Sequence, residues 1–119
     1  FDLDYISRLE LWVDFVPDSI TSVLSNNFSN RRAFEMAEVY LQKQNELSLS
    51  FPGYVGYVEA MCSFVSAEEN IPPILVLEES RSGKFSNVLD GMHRSLASII
   101  SFRRGRLGDD FTLVGYLGR

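Results

Sequence analysis

Leu9, Leu11, Val13 and Phe15 alternate with Glu10, Trp12 and Asp14, a pattern that predicts a half-buried strand closed by Pro17. The spacing then becomes helical. Ala33, Met36, Ala37, Tyr40 and Leu41 fall on one face, while Arg31, Arg32, Glu35, Glu38 and Lys43 mostly fall elsewhere. A helix is predicted from a cap at Asn30 to about Gln44. Residues 45–56 carry Ser48, Ser50, Pro52, Gly53 and Gly56 and read as a loop. Tyr57, Ala60, Met61, Phe64 and Val65 predict a second helix ending near Glu69. The "NIPP" of Asn70 to Pro73 makes a stiff connector, since proline bars continued helix.

The second half is more sharply patterned. "ILVLE" (Ile74 to Glu78) and "KFSNVL" (Lys84 to Leu89) are β-rich runs around the turn residues Ser80 to Gly83, which predicts a hairpin. From Asp90 a helix follows, with Met92, Leu96, Ile99 and Ile100 as one apolar stripe. Gly105 and Gly108 stop it, and "FTLVGYL" (Phe111 to Leu117) predicts a last strand. No internal repeat or low-complexity segment interrupts this order. Strand, helices, hairpin, helix and strand give an α+β or small α/β fold, a small mixed sheet with packed helices, rather than a bundle or a sandwich.

Composition narrows the setting. A chain of 119 residues, 45% hydrophobic and 23% charged, fits a single globular domain able to bury its own core. The lone cysteine, Cys62, has no partner for an internal disulfide. It is expected to lie buried in a helix, and a reducing cytoplasm is its natural compartment. The net charge of −5 disfavours nonspecific nucleic-acid binding, although "FRRGR" (Phe102 to Arg106) is a local basic run. No apolar stretch approaches a membrane span, and no signal peptide is visible. The chain begins at Phe1 rather than Met, as an excised piece of a longer protein would.

Candidate chemistry concentrates in "VLDGMHRSLASII" (Val88 to Ile100), at the predicted strand-to-helix junction, which holds the only histidine. If Met92, Leu96 and Ile99 face the core, His93 and Arg94 point roughly 100° and 200° away from them. Unpaired N–H groups and the positive end of the helix dipole favour anions there. Gly91 permits close approach to the backbone. Arg94 offers a planar fork for phosphate oxygens, and His93 a group that exchanges protons near neutral pH. Asp90 is a candidate divalent-metal ligand or acceptor of a substrate hydroxyl's proton. Gly91, His93, Arg94 and Ser95 are the candidate phosphate-binding residues, and Asp90 and His93 the candidate catalytic ones. A plain helix cap at Asp90 followed by surface residues is the competing reading.

Other chemistries fit poorly. One His and one Cys do not make a zinc site. Ser95, His93 and Asp90 lie too close on one helix to converge as a hydrolase triad, and there is no G-x-S-x-G. "RSGK" (Arg81 to Lys84) lacks the phosphate-loop spacing. Tyr54 and Tyr57, set beside glycines, are either base-stacking residues or ordinary packing.

The segment Ile71 to Ile99 resembles the core of the ParB/sulfiredoxin superfamily. Pro72, Pro73, Ile74 and Val76 are similar to its "PPI-V" strand, and Asp90, Gly91, His93, Arg94 and Ala97 to its D/G-G-x-H-R-x-x-A helix start. The resemblance covers residues 71–117 of a single domain 1–119, with 1–70 a divergent N-terminal part. Sulfiredoxins carry a catalytic cysteine where Met92 stands, so reductase chemistry is not implied. ParB proteins carry G-E-R-R and bind CTP. Here His93 replaces the first of those arginines and no helix-turn-helix follows. The D-G-x-H-R form of free serine kinases is the nearest. It implies that Asp90 assists the chemistry, that His93 and Arg94 engage nucleotide phosphates, and that an earlier helix supplies a carboxylate, with Glu59, Glu68 and Glu69 as candidates. The resemblance thus implies a nucleotide-binding domain using ATP, ADP or CTP with Mg²⁺ for phosphoryl transfer or nucleotide hydrolysis, with an unidentified acceptor. The alternative is a non-catalytic ParB-like module that associates with nucleic acid or another protein.

Overall fold

The computed structural model describes residues 1–11, 32–77 and 87–118. Helix α1 (Leu3–Ser7) is started by Asp2, whose carboxylate accepts from the Tyr5 amide at 2.8 Å. Leu9 and Leu11 are buried on either side of Glu10, and the described strand β1 is Glu10–Leu11. The rest of the predicted first strand, with Trp12 to Phe15 and Pro17, lies outside the described residues, as do Asn30 and Arg31.

Helix α2 (Ala33–Ser50) buries Ala33, Met36, Ala37 and Tyr40, the expected face. It does not stop near Gln44. Lys43 departs from helical geometry (φ −109°, ψ 16°), the chain continues, and Leu47 is buried beyond the kink. Only Phe51 separates α2 from helix α3 (Pro52–Ser66). The loop predicted over 45–56 is therefore two helix ends. Pro52 occupies the first turn, where its missing N–H costs nothing. Gly53 and Gly56 lie on an exposed face with open space around their α-carbons. The α3 stripe is also shifted: Val55, Val58, Cys62 and Val65 are buried, while Tyr57, Ala60 and Phe64 are exposed. Cys62 is fully buried in a helix, as expected.

Strands β2 (Ile74–Leu77) and β3 (Asn87–Asp90) pair antiparallel, and the Ser80–Gly83 turn lies outside the described residues. Strand β4 (Gly115–Gly118) is shorter than predicted and runs parallel to β2. The sheet order is β1-β3-β2-β4, with β1 parallel to β3. This is a mixed α+β arrangement.

Helix α4 (Met92–Arg103) packs against α1, α2, α3 and β2 and is the centre of the molecule. Leu96, Ile99 and Ile100 are buried along the predicted stripe. Ser95, Ser98 and Ser101 are buried as well, small enough for close approach by other elements. Ser95 and Ser98 donate to the carbonyls of Gly91 and Arg94 at 2.9 and 2.7 Å, and Ser101 donates to Cys62 of α3 at 3.4 Å. Gly105 ends the helix at φ +75°. Its amide donates to Phe102, and the Arg106 amide to Ser101, the double bond of a Schellman cap. One buried cluster joins residues from Leu3 to Leu113.

Candidate functional site

Strand β3 passes into α4 through one residue, Gly91, at φ +98°. That conformation favours glycine. A Cβ there would stand 2.5 Å from the Ile74 Cγ2 and 2.9 Å from the Arg94 Nη2. The space at Gly91 is thus taken by Ile74 and Arg94 of this chain. The helix is capped by Gly91 without a side-chain bond, so Asp90 does not cap it. Asp90 instead closes β3, with its side chain 69% exposed.

This corner forms one wall of a cleft of about 240 Å³, lined by Asp90, Gly91, Met92, His93, Arg94, Tyr57 and Met61. Arg94 is the most committed member. Its Nη2 donates to the Pro73 carbonyl at 3.0 Å and lies 3.6 Å from an Asp90 carboxylate oxygen. The side chain is 16% exposed, and its buried Nε has no hydrogen-bond partner among the described residues. Arg94 therefore also ties the "NIPP" connector to the helix start.

His93 is enclosed by aromatic rings of α3. Its centroid lies 4.9 Å from that of Tyr57, with the rings near perpendicular, and 6.2 Å from that of Tyr54. Burial lowers the imidazole pKa below its ordinary value, which keeps the ring neutral around pH 7. The two tyrosines differ. Tyr57 is 52% exposed and lines the cleft. The Tyr54 hydroxyl is buried without a partner among the described residues, and burial raises it well above the ordinary phenol range.

The structure brings together Asp90, Gly91, His93 and Arg94 but not Ser95, whose buried hydroxyl is spent on the Gly91 carbonyl. It also brings none of the three candidate glutamates to the cleft lining. Glu59 stands two residues from Tyr57 and from Met61, on the far side of α3. There it accepts from both Arg104 (2.8 and 3.0 Å) and Tyr40 (2.8 Å), while Arg104 also donates to Gln44 at 2.8 Å. Burial alone would lower the Arg104 pKa, but hydrogen bonding and charge from Glu59 outweigh it and hold the guanidinium above its ordinary value. Glu68 and Glu69 lie exposed past the end of α3. Of the basic run, Arg104 is thereby tied to α2 and α3, which leaves Arg103 and Arg106 exposed. Met61 enters the cleft with only one sign in the sequence, its four-residue spacing from Tyr57.

Among the described residues, no group of three or more His, Cys, Asp or Glu side chains could hold a metal ion, and no helix is long and apolar enough to cross a membrane. No protein-family model, curated protein or solved structure matches the chain.

Proposed function

We propose that the cleft at the start of α4 binds the phosphates of a nucleoside tri- or diphosphate with Mg²⁺, in a ParB/sulfiredoxin-like domain that carries out phosphoryl transfer or nucleotide hydrolysis. The observation that carries this reading is the direct β3–Gly91–α4 junction, which gathers Asp90, His93 and Arg94 around one cleft at a helix N-terminus. The first-turn amides supply donors for an anion. Arg94 holds more N–H groups than the one given to Pro73.

Mg²⁺ is commonly held by one or two carboxylates, several waters and the substrate's phosphates. The single exposed carboxylate of Asp90 suits that mode, and Mg²⁺ there would offset charge on the phosphates. His93, kept neutral by burial, is suited to accept a proton from an attacking hydroxyl or water. The acceptor is otherwise undefined. The lone buried Cys62 suits a reducing compartment, and the proposed setting is the cytoplasm.

The test is calorimetric titration of ATP, ADP and CTP with Mg²⁺ into the wild-type chain and Arg94→Ala, with thermal melting to confirm folding. Saturable binding weakened at least about tenfold in the folded variant is expected, as for loss of a charge-assisted contact. A folded wild type that binds none of the three would end this reading.

A further inference from the structure

The cleft lining has two kinds of surface. Asp90, His93, Arg94 and the Gly91 backbone are polar, whereas Tyr57, Met61 and Met92 present a ring and two thioethers. Its volume of about 240 Å³ is below the roughly 300–1,000 Å³ of pockets that enclose a drug-sized ligand. A nucleotide whose phosphates entered here would leave its base at the rim. The aromatic lining residue is Tyr57, which stays half exposed while Tyr54, one turn earlier, turns its hydroxyl into the protein. The Tyr57 ring meets that of His93 near perpendicular and still stays half exposed.

We infer that Tyr57 is a stacking platform for the base of the bound nucleotide, with Met61 and Met92 as its apolar flank. The inference rests on the nucleotide reading above. It also makes the site tolerant of base identity. Every base has a π-face, and stacking does not read hydrogen-bonding edges. Beside Tyr57 the lining offers the His93 ring and the thioethers of Met61 and Met92 rather than amides or carboxamides to a base. The ligand class is therefore nucleoside polyphosphates in general, chosen by their phosphates.

The experiment is titration of ATP, CTP and inorganic tripolyphosphate, each with Mg²⁺, into wild type, Tyr57→Phe, Tyr57→Leu and Tyr57→Ala. Melting curves check the fold, and Tyr57→Leu keeps apolar bulk should Tyr57→Ala unfold. Wild type should bind ATP and CTP within a few-fold of one another. Loss of the ring should weaken both nucleotides by about tenfold, a typical stacking effect, and leave tripolyphosphate unchanged. Tyr57→Phe should behave as wild type. If tripolyphosphate binds but the ring-less variants hold ATP as tightly as wild type, or lose ATP and tripolyphosphate equally, the platform is wrong and the phosphate site stands. If wild type binds neither nucleotide nor tripolyphosphate, both readings fall together.

Discussion

At the C-terminal end of α4, Arg104 grips both oxygens of Glu59 and the side chain of Gln44, and Glu59 in turn takes the Tyr40 hydroxyl. At the N-terminal end, Arg94 spends one N–H on Pro73 and stands 3.6 Å from Asp90, and among the described residues neither its Nε nor the hydroxyl of Tyr54, which faces the adjoining His93, has a partner. The same helix pair, α3 and α4, thus carries one closed polar network and one open cluster. Buried polar groups cost free energy unless paired, so a satisfied network is a structural joint. An under-satisfied cluster beside a cleft is where a ligand has something to complete.

The contrast breaks most visibly at the closed end. Glu59→Ala would leave Arg104 and the Tyr40 hydroxyl without their shared acceptor and should cost about 2–4 kcal/mol, allowing for partial exposure of the pair. Denaturant melts measure it. Glu59→Gln, which retains an acceptor, should cost less.

A sharper, smaller test compares two tyrosines. Tyr40→Phe removes a hydroxyl that donates to Glu59 and should cost about 1–2 kcal/mol, because the bond is to a charged group. Tyr54→Phe removes one without a partner among the described residues and should be neutral to within about 0.5 kcal/mol, or stabilising. Equal losses in the two variants would erase the distinction between the ends of α4.

The smallest effect is in pH. His93 is the only histidine of the chain, so one imidazole resonance reports it. It faces Tyr54 and Tyr57 from α3, with Asp90 and Arg94 beside it in the cleft. Burial holds its folded-state pKa below the unfolded value of about 6.5, so the unfolded chain takes up the proton first. Its contribution to stability is full above about pH 6.5 and is lost progressively as pH falls through the folded-state pKa. An NMR titration should show a midpoint below 6.5, and His93→Phe should flatten this part of the acid-side stability loss. A midpoint at or above 6.5 would contradict the enclosure of His93.

Period and punctuation made much of the second half legible. The β2–β3 pair, the buried α4 stripe and the Gly105 stop follow from local pattern, and so does the placing of Asp90, His93 and Arg94 at a helix start. The failures have physical causes. Pro and Gly punctuate most turns, yet Pro52 opens a helix and Gly53 and Gly56 ride on its exposed face, so the segment read as a loop is helical. On α3, the apolar spacing of Tyr57, Ala60, Met61, Phe64 and Val65 predicts the helix, yet the large rings of Tyr57 and Phe64 stay exposed. Val65 of that set is buried, and with it Val55, Val58 and Cys62, which are small enough to pack closely. Glu59 and Arg104, 45 residues apart, meet only through tertiary packing, and no local pattern announces that. Ser95 looked like a ligand because hydroxyls bind phosphate. Inside a helix its nearest acceptor is the carbonyl one turn back.

The single-residue passage from β3 to α4 has a consequence for how the chain tolerates change in length. Strand β3 is pinned between β1 and β2, so it sets the rotational phase of the helix that leaves it. One residue inserted at Gly91 would turn α4 by about 100° about its axis. His93 and Arg94 would leave the cleft, and the face carrying Ser95, Ser98 and Ser101 would lose its seat. The reading frame of the junction therefore matters as much as the identity of its residues.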